Sequence, residues 1–82
     1  MPRYYFEVRE GNVVIADPEG QDMANIEAAE REAVEAAASI GRDHFVTART
    51  DALAIEVKDE QRQLVLIVTV SLHVNRIKPQ RH

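Results

Sequence analysis

The feature that most constrains the fold is a strict alternation of apolar residues near the end of the chain. Every second position from 64 to 74 is apolar, namely Leu64, Leu66, Val68, Val70, Leu72 and Val74. A period of two is typical of a strand that buries one face. The pattern predicts one strand over residues 64–74, about 36 Å long at ~3.3 Å per residue. The other predicted strands are shorter, so we expect its end to lack a partner within the chain.

Three shorter strands precede this one in the sequence. Alternation predicts strands over residues 3–9, 13–16 and 52–58. The first two are separated by a short turn around Gly11, which indicates a hairpin. The last is followed by the polar turn 59–62, which indicates a second hairpin. The segment 17–20, Asp-Pro-Glu-Gly, has the composition of a β-turn that ends the first sheet segment.

An alanine-rich helix is predicted between the two hairpins. Asn25 is a suitable N-cap. One face then carries a stripe with the helical period, formed by Ile26, Ala29, Ala33, Ala36, Ala37 and Ile40. Gly41 is a typical residue just after a helix, and a longer helix would turn His44 toward the buried face. We therefore expect the helix to end near Ile40 and residues 42–51 to form a loop, with Phe45 and Val46 pointing inward.

The order of elements predicts an α+β fold. Two hairpins and one helix give a four-stranded, mostly antiparallel ββαββ sheet with the amphipathic helix packed on one face. We expect a single domain over residues 1–74. Residues 75–82 are expected to form a basic C-terminal tail that contains Arg76, Lys78 and Arg81.

Composition limits the classes of function. The 82 residues include no cysteine, which excludes thiol catalysis and cysteine-bound metal, and the net charge is −4. The negative charge disfavours non-specific binding to nucleic acid or to anionic membranes. No apolar run approaches the ~20 residues of a membrane-spanning helix, and the N-terminus lacks the apolar core of a secretory signal. We expect a cytoplasmic protein whose small core gains stability by self-association.

A second apolar surface is predicted on the sheet face away from the helix. Its residues are Tyr5, Val14, Ala54, Val65 and Ile67, and the overhanging end of the last strand adds Leu72 and Val74 as separate candidate contact residues. Contiguous apolar patches often mark contact surfaces. We therefore expect a homodimer formed through this face, through the overhanging strand, or through both. The alternative is that residues 72–77 fold back and cover the same face within one chain.

The chemistry-bearing residues are few. His44 beside Asp43 is the best acid–base candidate in the predicted 42–51 loop, but such a pair is more often an ordinary surface feature. The sequence contains no phosphate-binding glycine loop and no glycine-flanked nucleophilic serine. We predict no catalytic, cofactor-binding or metal-binding residue. The sequence disfavours an enzymatic role, and the third hypothesis below keeps it as an alternative.

Several segments together resemble a known family. The opening MPRYYFEV, the hairpin REGN, the turn DPEG, the helix ANIEAAEREAVEAAA and the closing IEVKDEQRQLVLIVTV carry the resemblance. They are similar to short bacterial proteins of unknown function that begin Met-Pro-Arg-Tyr-(Phe/Tyr)-Phe. The resemblance spans roughly residues 2–70 and implies the same order of elements. It implies no catalytic residues, and the chain departs from the family pattern by running on past Val70.

Three functional hypotheses remain open at this point. The favoured one is a small homo-oligomeric protein-interaction module without catalysis. The second is a nucleic-acid-associated or regulatory accessory protein that uses the basic tail. The third is a small-ligand binder or enzyme that uses the 42–51 loop.

Overall fold

The computed structural model describes residues 1–78 and contains one helix on one face of a five-stranded sheet. The elements, in chain order, are β1 (Arg3–Glu10), β2 (Val13–Ile15), β3 (Gln21–Asp22), α1 (Ile26–Val46), β4 (Ala52–Lys58) and β5 (Leu64–Ser71). This arrangement confirms the predicted α+β class with one helix and an antiparallel sheet. The observed order differs from the predicted ββαββ order only by the additional two-residue strand β3.

The two hairpins meet through their inner strands. The sheet order is β2-β1-β4-β5, and β3 pairs with the opposite end of β1 on the same side as β2. All pairs are antiparallel. The outermost strand on one side is therefore β5, and the other side is shared by β2 and β3.

The core lies between α1 and the strands β1, β4 and β5. Its buried residues are Tyr4, Ala29, Ala33, Ala37, Leu53, Ile55 and Val57. The alanines on α1 let the helix approach the sheet closely, as their spacing predicts. Asn25 caps the helix as predicted, since its Oδ1 accepts a hydrogen bond from the backbone N–H of Ala28 at 2.9 Å.

Gly41 of α1 is buried against β5, and a Cβ there would lie 3.2 Å from Cγ2 of Val70.

The predicted end of the helix is wrong. α1 continues past Ile40 to Val46, so half of the predicted 42–51 loop is helical. Gly41 lies within the helix and provides the close contact with β5 instead of ending it. Phe45 is half-buried, but Val46 points outward and is 82% exposed, so the prediction that both turn inward fails for Val46.

The predicted length of the last strand is also wrong. β5 ends at Ser71, which pairs with Ala52 at the start of β4, so the strand does not overhang its neighbour. One further backbone hydrogen bond runs from the N–H of Leu72 to the carbonyl of Asp51 at 2.8 Å. Residues 73–78 are not in a strand.

A β-bulge changes the facing of residues at the start of β5. Val57 lies opposite Leu66, whereas the next residue, Lys58, lies opposite Leu64. β5 therefore carries one extra residue there, and Leu64 leaves the core side that strict alternation assigns to it. Its side chain is exposed.

The division into a 1–74 domain and a 75–82 tail stays a prediction, and residues 79–82 lie outside the described part. Within residues 1–78, no helix has the length and apolar content needed to cross a bilayer.

Candidate functional site

Charged side chains separate the residues of the predicted apolar surface. Arg9 lies between Val14 and Ala54 in the register, and Glu56 lies directly beside Ile67. The Nε of Arg9 contacts a carboxylate oxygen of Glu56 at 3.0 Å. The face away from the helix is thus amphiphilic.

A second ion pair lies next to the first. Nζ of Lys58 donates a hydrogen bond to Glu7 at 3.1 Å, and Glu7 pairs with Glu56 across the two strands. The charges therefore form a ladder along β1 and β4. Val14 lies on one side of this ladder, and Val65 and Ile67 lie on the other.

Tyr5 is covered by its own chain. The guanidinium carbon of Arg62 lies 3.8 Å from the centre of the Tyr5 ring, which is a cation–π geometry. Gly20 packs so closely that a Cβ there would lie 2.9 Å from Cδ1 of Tyr5. Tyr5 is consequently half-buried, although it lies on the face that the helix does not cover.

β5 forms an outer edge of the sheet with little of the usual protection. Within residues 1–78 it pairs only with β4, so the backbone groups on its other side have no strand partner. Its eight residues, LVLIVTVS, include no charge and no proline. Ile67 and Val65 are exposed beside this edge. Natural proteins normally shorten or interrupt such edges, or place charges on them. The bulge near Val65 is the one such device on β5.

The opposite edge of the sheet is interrupted. β2 and β3 are three and two residues long, and the turn 17–20 separates them. Asp17 bridges the gap, because its Oδ2 accepts a hydrogen bond from the N–H of Phe6 and its Oδ1 accepts one from the N–H of Gly20, both at 3.0 Å. A carboxylate replaces a neighbouring strand at this point of β1. This edge offers no long row of backbone groups to another chain.

The pKa of Asp17 reflects this role. Partial burial raises its pKa, but hydrogen bonds from the backbone N–H groups of Gly20, Phe6 and Glu19, together with the charge of Arg62, outweigh that effect. The net result is a pKa below the ordinary value for an aspartate, so Asp17 is ionised at neutral pH.

His44 is held at the junction of α1 and β1. Its Nδ1 lies 2.8 Å from Oε1 of Glu10, and Nε of Arg49 lies 3.5 Å from Oε2 of the same carboxylate. The Glu10 side chain is only 10% exposed. The imidazole is thus engaged by a strand residue, whereas the sequence had suggested Asp43 as its partner. This contact lets the helix continue past Gly41 with a histidine on its inner side.

An open groove lies beside the segment that follows α1. It has a volume of about 470 Å³ and is lined by Ala48, Thr50, Asp51, Leu72 and Val74. Leu72 and Val74 of the predicted interface therefore lie apart from the charged ladder. Among residues 1–78, Asp51 is the one titratable residue in this lining, and His44 does not contribute to it.

No metal centre is formed by the part of the chain described here. Among residues 1–78, no three histidine, aspartate or glutamate side chains come together as metal ligands would.

Sequence reasoning missed Glu10 and Asp17 as organising residues. Glu10 continues the alternating series Tyr4, Phe6 and Val8 on the core side of β1. The alternation therefore already predicted that the Glu10 side chain points toward the helix. The role of Asp17 was partly visible, since aspartate is favoured at the start of such turns. Its bond to Phe6 required knowledge that the turn lies beside β1.

The architecture defines the chain as a small α+β protein with one helix on an antiparallel sheet. It belongs to the family described as "Domain of unknown function (DUF6894)", which matches residues 3–71. The match agrees with the expected resemblance to uncharacterised proteins, whereas the family's opening motif and bacterial origin stay predictions. No curated protein and no solved structure matches the chain.

Proposed function

We propose that this protein is a small homo-oligomeric interaction module without catalysis. The observation that carries the proposal is the amount of apolar surface left outside the core. Twelve large hydrophobic side chains are exposed among residues 1–78, whereas Ile55 and Val57 are the largest that are fully buried. Association with a second copy would remove part of this surface from water.

The size of the chain strengthens this argument. A domain of about 80 residues gains roughly 3–5 kcal/mol from its own core. The chain has no cysteine for a disulfide, and within residues 1–78 no group of side chains is arranged to hold a structural metal. Oligomerisation is the remaining common source of stability for a protein of this size.

The absence of catalysis is supported by the position of His44. Its ring contacts a mostly buried carboxylate in the packing between α1 and β1, and the groove beside residues 47–51 is lined by other residues. The small-ligand alternative for this loop and the nucleic-acid alternative for the tail with Arg76 and Lys78 stay predictions. A cytoplasmic location is part of the proposal.

Sedimentation velocity on the full chain at micromolar concentration tests the proposal. The expected result is a species of about twice the 9.3 kDa chain mass that dissociates on dilution. A single 9.3 kDa species at every concentration up to about 1 mM would contradict it. High salt is a useful control, because a mainly apolar interface should persist while one built on surface charges should weaken.

A further inference from the structure

We infer that the second copy pairs through β5, so that two β5 strands lie antiparallel and one continuous sheet runs through the dimer. This inference rests on the proposed function and adds the surface and geometry of association. Exposed strand edges recognise extended chains by main-chain hydrogen bonds. Among residues 1–78, β5 is the longest strand that has one side without a strand partner.

Charge identifies a copy of the same chain as the occupant. When a strand pairs with itself about a two-fold axis, a charge near the axis lies close to the same charge on the second copy. β5 has no charged residue along its eight positions, so no such repulsion arises. β1 and β4 carry several charges. Each of these two strands already has a neighbouring strand on both sides.

Symmetry restricts the register of the pairing. Two adjacent antiparallel strands are related by a two-fold axis perpendicular to the sheet, so both helices lie on the same face. Core-side residues of one copy must then lie opposite core-side residues of the other. The two most central registers place either Ile67 or Val68 on the axis. In the first, Leu66 lies opposite Val68 of the second copy, and in the other it lies opposite Val70.

The helix adds apolar surface above the junction. Gly41 of α1 adjoins Val70 of β5. Val34 precedes Gly41 by seven residues, or about two helical turns, and therefore lies on the same flank of the helix. Its side chain is 47% exposed. A strand edge alone is narrow, and a stable interface buries on the order of 1,200–2,000 Å² in total. The flank with Val34 supplies additional contact between the two copies.

The edge formed by β2 and β3 is poorly suited to pairing with a strand of a second copy. β2 has three residues and is followed by Asp17, Pro18 and Glu19, so a partner strand could form few hydrogen bonds before meeting charge and proline. Val14 on β2 is exposed to a similar degree as Ile67 on β5. These two residues give a matched pair for substitution, one at each edge.

The test compares Ile67→Lys with Val14→Lys by sedimentation velocity. Both side chains are exposed, and circular dichroism checks that each variant is folded. Ile67→Lys should raise the dimer dissociation constant about tenfold or more, because in either register it places two lysines on or next to the two-fold axis. Val14→Lys should leave the constant within about twofold of the wild type.

Amide hydrogen exchange on the wild-type protein supplies a second readout that needs no variant. The protein is measured at concentrations well above and well below the dissociation constant. Those amides of β5 that do not bond to β4 should lose at least about tenfold in protection when the dimer dissociates. Amides of β2 that face away from β1 should exchange equally at both concentrations.

The outcomes separate the two proposals. A monomer at every concentration overturns the proposed function and this inference with it. A dimer that survives Ile67→Lys, with no concentration-dependent protection in β5, overturns this inference and leaves the proposed function standing. A dimer that is lost in Ile67→Lys and retained in Val14→Lys, with β5 protection that depends on dimerisation, supports both.

Discussion

Replacing Asp17 tests whether one carboxylate holds the interrupted edge of the sheet together. Its two oxygens accept hydrogen bonds from the N–H groups of Phe6 and Gly20, each at 3.0 Å. Asp17→Ala removes both acceptors. Asp17→Asn removes the charge and leaves one acceptor oxygen, because its amide nitrogen can only donate.

The expected cost follows from these two bonds. A hydrogen bond to a charged group contributes about 1.5–3 kcal/mol, and the lower value applies here because water can reach a half-buried turn. Asp17→Ala should therefore lower the free energy of unfolding by about 2–3 kcal/mol, and Asp17→Asn by about 1–1.5 kcal/mol. Against a stability of roughly 3–5 kcal/mol, the alanine variant would be close to unfolding.

Urea denaturation at a fixed protein concentration measures both values. With a slope of about 1 kcal/mol per molar urea for a small protein, the midpoint should fall by about 1 M in Asp17→Asn and by at least about 2 M in Asp17→Ala. Fixing the concentration is necessary because association with a second copy adds to apparent stability.

The pH dependence has a definite sign. The pKa of Asp17 is lower in the folded protein than in the unfolded chain. Its contribution to stability is therefore fully present above the unfolded pKa and is lost as pH falls through the folded pKa. The difference in stability between wild type and Asp17→Asn should be complete at pH 7 and shrink below about pH 4.

Glu19→Gln is the matched control, since it removes one charge from the same turn without removing an acceptor from a backbone N–H. It should change the free energy of unfolding by less than about 0.5 kcal/mol. If Asp17→Asn and Asp17→Ala both behave like Glu19→Gln at pH 7, the carboxylate does not organise the edge and the reasoning fails.

Two further predictions concern the second half of α1. Gly41→Val should destabilise the protein by about 1–3 kcal/mol in urea denaturation, since its side chain would crowd Val70; an effect no larger than that of Ala38→Val, on the exposed side, would contradict this. His44→Ala should lower the thermal midpoint by several degrees, because Glu10 loses its 2.8 Å partner in a mostly buried position. An unchanged midpoint would show that this contact does not stabilise the end of the helix.

The order of most elements and the buried side of each could be predicted from the sequence, because the periodicity of apolar residues is a local property of each segment. Alternation located β4 at residues 52–58, and the stripe of alanines found the buried side of α1. The end of the helix was missed because Gly41 has two opposite uses. Glycine often follows a helix, but within one it also allows a close approach, and only the position of Val70 distinguishes these uses.

The end of β5 was missed for a different reason. Leu72 and Val74 continue the alternating pattern, but a strand persists only where a neighbour supplies hydrogen bonds. β4 begins at Ala52, so its register limits the last strand to Ser71. The charges that interrupt the predicted apolar surface were also missed. Tyr5, Val14 and Ala54 share a face with the β5 residues, but the ion pairs between them depend on a register that a single strand does not reveal.

The position of β1 beside β4 also governs how the chain must fold. Each hairpin joins strands that are close in sequence, but the ion pair between Arg9 and Glu56 joins residues 47 positions apart. Such a contact closes a long loop before it gains any pairing energy, and non-local pairings of this kind slow folding. We expect docking of the two hairpins to limit the folding rate, and a shorter connection between them to accelerate it.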